Sequence, residues 1–234
     1  MNWIVQIYDF ALEASNIPPA RVETRTWDIM TAFKRDYSRG KPTGRLLRYK
    51  PETNTIDVLA SDIFFANGVS VGDTDETVIY VSETSLARVI AVHLDGDNVG
   101  AMETVQNTDV FLDMLPGYPD GADCSLERRL CFFPMPSIAS PIFLKLAKTS
   151  EMMSTAIRTL LMMLPPKVLA VIQVLPYGGV VEVSLDNDNK VESMRIIQDP
   201  HGKDIGMLTG VSSHDDFLYM GSLKNNFIGR YNLL

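Results

Sequence analysis

Phe65-Ala66-Asn67-Gly68-Val69-Ser70-Val71 is followed by Val78-Ile79-Tyr80-Val81-Ser82-Glu83-Thr84 and by Arg88-Val89-Ile90-Ala91-Val92. These are β-branched runs bounded by turn signals, and the first carries an Asn-Gly pair. They read as the strands of one blade of a β-propeller. The innermost strand of such a blade points its start at the central channel, and Asn67 stands at that start.

The same texture extends outward from this blade. Before it, Arg45-Leu46-Leu47-Arg48-Tyr49 alternates, turns through Lys50-Pro51-Glu52-Thr53-Asn54, and continues as Thr55-Ile56-Asp57-Val58-Leu59, the outer two strands of a preceding blade. The central blade is expected to close with Ala101-Met102-Glu103-Thr104-Val105. A third opens at Pro119-Asp120-Gly121-Ala122-Asp123-Cys124, continues through Leu130-Cys131-Phe132-Phe133, and finishes with strands over 179–185 and 191–197. A last blade shows three strands, over 208–212, 217–222 and 227–233. The fold expected is all-β, of the six-bladed propeller type but incomplete at about three blades, so its edges would be open.

Three helical elements are expected beside the strands. Trp3, Ile4, Ile7, Tyr8, Ala11 and Leu12 lie at helical spacing and predict a short amphipathic helix over 1–17, ended by Pro18-Pro19. Trp27–Tyr37 predicts a further helical turn or two. An insertion over about 138–176 puts Met153, Ala156, Ile157, Leu160, Leu161 and Leu164 on one helical face, with Met162 and Met163 opposite. That helix reads either as a lid over the channel mouth whose 151–164 surface touches membrane or a greasy substrate, or as a helix packed on the propeller flank. Arg158, Pro165-Pro166 and Lys167 interrupt the apolar run, which leaves no transmembrane span there, and no basic segment precedes the N-terminal run as a signal peptide requires.

A net charge of -8 over 234 residues excludes a nucleic-acid surface, and Arg128-Arg129 is an isolated basic pair. Carboxylates near a channel suit a hard cation. Cys124 and Cys131 lack zinc spacing and read as buried thiols on neighbouring strands, with a local disulfide as the alternative. His93, His201 and His214 are scattered. Asn67 and Asp120 stand out because each begins an inner strand, each precedes Gly, and they lie one blade apart. Together they offer oxygens of the kind Ca2+ takes, while an ordinary turn accounts for each alone.

Gly44-Arg45-Leu46-Leu47-Arg48-Tyr49, Phe65-Ala66-Asn67-Gly68-Val69, Val81-Ser82-Glu83-Thr84, Leu115-Pro116-Gly117-Tyr118-Pro119-Asp120 and His214-Asp215 before Leu218-Tyr219-Met220-Gly221-Ser222 come in the order found in the strictosidine synthase-like family. The resemblance covers about Trp27 to Leu233, leaves 1–26 outside it, and is similar in flavour to the adipocyte plasma membrane-associated proteins. The wider superfamily, with paraoxonase and regucalcin, forms six-bladed propellers with Ca2+ in the channel. The resemblance therefore implies metal-ligand positions at Asn67 and Asp120. It also implies Ca2+-dependent hydrolysis of aryl esters or lactones. Strictosidine synthase itself uses a glutamate as acid/base; Thr209 stands about where that residue would be, which disfavours Pictet-Spengler condensation of an alkaloid-like substrate. The family's first half is expected to be missing, and Val22 falls where a polar rim residue would be. A non-catalytic fragment or scaffold that self-associates through its open edges is the alternative from another class. Relatives are endomembrane, membrane-anchored or secreted. Glu83, Thr209 and His214 are channel-lining candidates, while Asp199, His201 and Asp215 read as loop residues.

Overall fold

The computed structural model describes residues 2–6, 42–94, 108–141 and 177–234, with isolated positions at 144, 145, 156 and 160. Within them the chain builds four antiparallel sheets, each a meander of consecutive strands. The first contains β1 (Asn2–Gln6), β2 (Gly44–Lys50) and β3 (Thr55–Ile63). The second contains β4 (Ala66–Val71), β5 (Val78–Glu83), β6 (Arg88–His93) and β7 (Thr108–Leu112). The third contains β8 (Asp123–Ser125), β9 (Leu130–Met135), β10 (Gly178–Leu185) and β11 (Val191–Asp199). The fourth contains β12 (Leu208–His214), β13 (Phe217–Ser222) and β14 (Gly229–Asn232). This is a partial β-propeller of a few blades, as the strand spacing predicts.

Side-chain alternation along the central strands explains why the sheets stack in chain order. On β5, Ile79 and Val81 face the first sheet and pack with Leu46, Leu59, Ala60 and Ile63. Tyr80 faces the other way and joins Phe133, Met135, Val181 and Val183 of the third sheet. There its ring stacks on Phe111 at 4.1 Å between centroids, with Phe133 next in line at 6.3 Å. The third sheet repeats the device: Phe132 and Val180 turn to the fourth sheet and meet Leu208, Leu218 and Met220. The central and third blades are thus apolar on both faces, and a near-continuous run such as Leu130-Cys131-Phe132-Phe133 serves two interfaces at once.

Several sequence expectations are corrected. Residues 2–6 form a strand registered on Arg45–Tyr49 rather than the start of a helix; sheet pairing with β2 overrides the helical spacing of the N-terminal apolar residues. The rest of 7–17 lies outside the described residues. The central blade closes with Thr108–Leu112, registered on Val89–Val92, where a strand over 101–105 was expected; 101–105 itself is outside the described residues. Cys124 and Cys131 are a disulfide rather than two thiols, because the β8–β9 hairpin sets them directly opposite each other. The 27–37 turn, Val22, and nearly all of the 138–176 insertion, including Met162 and Met163, also lie outside the described residues. A hydrogen bond from the Leu144 N–H to the Ser140 carbonyl begins one helical turn inside that insertion. Among the described residues, no helix is long and apolar enough to cross a membrane.

The inner strands carry a repeated irregularity. On β4 the three steps from Ala66 to Val69 oppose the two from Glu83 to Val81. On β12 the two steps from Leu208 to Gly210 oppose the single step from Ser222 to Gly221. Ahead of β8, Asp120 bonds to the Pro134 carbonyl while Asp123 pairs with Phe132, again three steps against two. A one-residue bulge therefore sits at the start of three successive inner strands, where bulges re-aim side chains. Each bulge contains a rim residue followed by glycine: Asn67-Gly68, Asp120-Gly121 and Thr209-Gly210.

Glycine has a steric reason at two of these positions. The Gly68 N–H donates to the Asp120 carbonyl at 2.7 Å, and the Gly121 N–H donates to the Thr209 carbonyl at 3.0 Å. A Cβ on Gly68 would lie 2.2 to 2.5 Å from backbone atoms of Gly121, Asp120 and Ala122, and one on Gly121 would lie 2.6 Å from the Thr209 oxygen. Gly210, with no further described inner strand against it, has nothing within 4 Å of its Cβ position. Gly68→Ala is therefore expected to cost at least about 2 kcal/mol in denaturant unfolding, because backbone cannot yield as a flexible side chain can. Gly210→Ala should stay within about 1 kcal/mol of the parent. Equal losses at the two positions would contradict the close approach of β4 to Pro119–Ala122.

Candidate functional site

The strand starts converge on Pro119-Asp120-Gly121, whose three successive carbonyls are all taken by the central blade. The Thr84 hydroxyl donates to the Pro119 oxygen at 2.7 Å, the Gly68 N–H to the Asp120 oxygen at 2.7 Å, and the Ser82 hydroxyl to the Gly121 oxygen at 3.3 Å. Ser82 falls on the same face of β5 as Tyr80, the face turned to the third sheet, and Thr84, the first residue past the end of β5, reaches to the same side. Neither hydroxyl stands out in the sequence as a site residue. Their signal is the alternation itself, in which two hydroxyl residues continue an apolar face at its channel end.

Glu83, between them, points the other way. It is 1% exposed, and it accepts the Phe64 N–H at 2.7 Å on Oε1 and the Arg88 Nε–H at 2.5 Å on Oε2. Burial pushes its carboxyl up, opposed by those two donors. Oε1 thereby holds the link from β3 to β4, where Phe65 adopts a left-handed φ of 55°, and Oε2 is filled by Arg88 at the start of β6. Glu83 thus positions the segment that presents Asn67, two residues further on. Met207, with φ 53°, stands in the same relation to Thr209.

Held in this way, the Asn67 and Asp120 side chains meet: the Asn67 amide hydrogen-bonds the Asp120 carboxylate. Asp120 is partly buried at this rim. Burial pushes its carboxyl up to about 6, and the Asn67 hydrogen bond pulls against that shift. A carboxylate withdrawn from water with a neutral amide as partner is short of positive charge. That donor pair fits a hard, oxygen-seeking cation in kind. By itself the pair falls short of the six to eight oxygens such an ion takes, and among the described residues no group of three or more His, Cys, Asp or Glu is arranged to hold a metal. A carboxyl titrating near 6 also suits proton transfer close to neutrality.

The other candidates lie apart. Thr209 occupies the third rim position and is tied to Asp120 through the Gly121 N–H. His214 sits at the opposite end of β12, about 16 Å further along the strand, exposed and 3.6 Å from Asp215. Asp199 organises its own loop, with its carboxylate accepting from the N–H groups of His201, Asp204 and Ile205. Those bonds, that of Ile205 foremost, pull its carboxyl down to about 2. His201 is exposed within that loop.

The sequence profile of a family described as strictosidine synthase matches residues 24–97, a span that includes Asn67 and Glu83. Adipocyte plasma membrane-associated protein of Salmo salar is 30% identical over 190 residues, 81% of this chain and 42% of that protein. Its counterpart in Rattus norvegicus is 29% identical over 204 residues, 86% of this chain and 51% of that protein. Strictosidine synthase-like protein 6 of Arabidopsis thaliana is 38% identical over 88 residues, 38% of this chain and 21% of that protein. The chain spans about half the length, or less, of these relatives.

The Asp120 carboxyl fixes a dependence of stability on pH. Its folded value lies above its unfolded value of 3.8, so the folded state favours the protonated form, and stability is lost as pH rises from about 4 through about 6. Asp120→Asn keeps a neutral side chain at every pH. In urea titrations it should match the parent near pH 3.5 and exceed it by about 2–3 kcal/mol at pH 7.5. A difference that does not change with pH would contradict the buried, ionisable carboxyl.

Proposed function

The chain belongs to the strictosidine synthase-like family, and from that membership we propose that it acts as a Ca2+-dependent hydrolase of aryl esters or lactones, working at the Asn67–Asp120 rim. The observation that carries this reading is the contact between the two side chains at the entrance of adjacent inner strands, with the Asp120 carboxyl pushed up to about 6.

In this reading the Asn67 carboxamide oxygen and the Asp120 carboxylate hold the ion. Bound there, Ca2+ supplies Lewis-acid polarisation of a substrate carbonyl. The remaining work falls to the chain. Ser82, Thr84 and Gly68 fix the Asp120 backbone, so that its carboxylate keeps one position as its charge changes. Gly121 fixes Thr209 as the next polar group on the rim. A hydroxyl there can orient a substrate oxygen but cannot exchange protons near neutrality as a carboxylate does, which separates this site from one built for amine–aldehyde condensation.

Phenyl acetate and a γ-lactone series test the proposal, assayed with Ca2+ and with a chelator. Turnover should require Ca2+ and fall at least about 100-fold in Asp120→Asn, although that variant is the more stable protein at neutral pH. Asn67→Ala should weaken the Ca2+ dependence by about tenfold or more. Hydrolysis that survives both the chelator and Asp120→Asn would remove this site from the chemistry. Absence of hydrolysis with intact Ca2+ binding would favour a binding scaffold.

A further inference from the structure

At the far end of the same inner strands, where β4 and β8 run out, an open cleft of about 290 Å³ lies between the central and third blades. Both half-cystines line it, with Thr74, Ser125, Glu127 and Arg129 among its walls. The two sulfurs differ in their surroundings. Cys131 is 1% exposed and belongs to the apolar layer of Tyr80, Phe133 and Val183, whereas Cys124 is partly exposed. Cys124 is the half that a reagent in the cleft can reach.

We propose that this cleft is a thiol-exchange site, in which a small zwitterionic peptide thiol forms a mixed disulfide with Cys124. The incoming thiolate attacks Cys124 Sγ, a new S–S bond forms, the Cys124–Cys131 bond breaks, and Cys131 leaves as a thiolate that takes a proton from water. No outside oxidant is needed, because the protein's disulfide is consumed as the mixed disulfide forms. Two features suit such a ligand. Arg129 offers a positive charge for a carboxylate of the ligand, while Glu127 and Asp73 face its ammonium group across the cleft. After exchange, Cys131 sits as a neutral thiol in an apolar layer, where it is a poor nucleophile for expelling the adduct. The modification would also be felt by the neighbouring blade. Asp123, one residue from Cys124, accepts the Ser213 N–H at 2.7 Å and the Ser213 hydroxyl at 2.6 Å, and Arg128 on the same hairpin binds Asp216 at 2.6 Å.

The test incubates the native full chain with reduced glutathione, then alkylates free thiols in acid and digests with trypsin. Arg128 and Arg129 lie between the two cysteines, so the digest separates them. One glutathione per chain is expected, on Cys124 over Cys131 by at least about ten to one. In single-cysteine variants, native Cys131→Ser should react with a maleimide at least about 100-fold faster than native Cys124→Ser, the difference vanishing in denaturant. If a variant fails to fold, the mapping on the parent chain still decides. No adduct until denaturant is added, or an adduct shared equally between the two positions, would overturn the proposal.

Discussion

Three consecutive carbonyls at Pro119, Asp120 and Gly121, each claimed by a donor of the central blade, are the constraint on which the candidate site rests. Backbone oxygens at a blade entrance are not served by a strand ladder, and leaving them unsatisfied would cost free energy for each group. Ser82, Thr84 and Gly68 satisfy all three and in doing so set the distance between β4 and the start of β8. Close approach at Gly68 brings the Asn67 amide to the Asp120 carboxylate, and the Gly121 N–H passes the same spacing on to Thr209. Packing of the aromatic layer around Tyr80 and Phe133 holds the blades face to face. The carbonyl clamp fixes how their inner edges line up.

The carboxylate at that edge carries opposed demands. Burial raises Asp120 and makes the folded chain less stable near neutrality than a neutral side chain would. The same burial is what gives a carboxyl the affinity for a cation, or the proton-transfer range, that a solvated aspartate lacks. Glu83 shows the contrast. It is more deeply buried, yet both of its oxygens are filled by Phe64 and Arg88, so its charge serves the fold. Two acids of one neighbourhood are separated in role by how completely their oxygens are used.

Much of this was legible in the residues because β-structure writes itself with a period of two. Leu46, Ile79, Val81, Phe132 and Phe133 announce their faces, and the Asn-Gly and Asp-Gly pairs mark the strand entrances at 67 and 120. The bulges were not legible, since a one-residue mismatch depends on the partner strand's register and leaves no mark within its own strand. The disulfide stood only as the lesser alternative for a related reason: only the pairing of Asp123–Ser125 with Leu130–Phe132 sets Cys124 against Cys131. At the N-terminus, Trp3, Ile4 and Ile7 suit a helix by spacing, and pairing with Arg45–Tyr49 places residues 2–6 in a strand instead. Glu83 is visible as a charge in an apolar strand, with Arg88 opposite it across the β5–β6 hairpin, but its Phe64 partner is not, because Phe64 lies 19 positions away.

The central claim is that the blade entrances hold Asn67 against a desolvated Asp120. Carbon-13 titration of the Asp120 side-chain carboxyl, in the parent and in Asn67→Ala, measures that contact at the atoms concerned. The account predicts a midpoint near 6 in the parent and a higher one in the variant, because the Asn67 hydrogen bond lowers the value against the pull of burial. A midpoint close to the ordinary aspartate value in the parent, unmoved by loss of the amide, would contradict it.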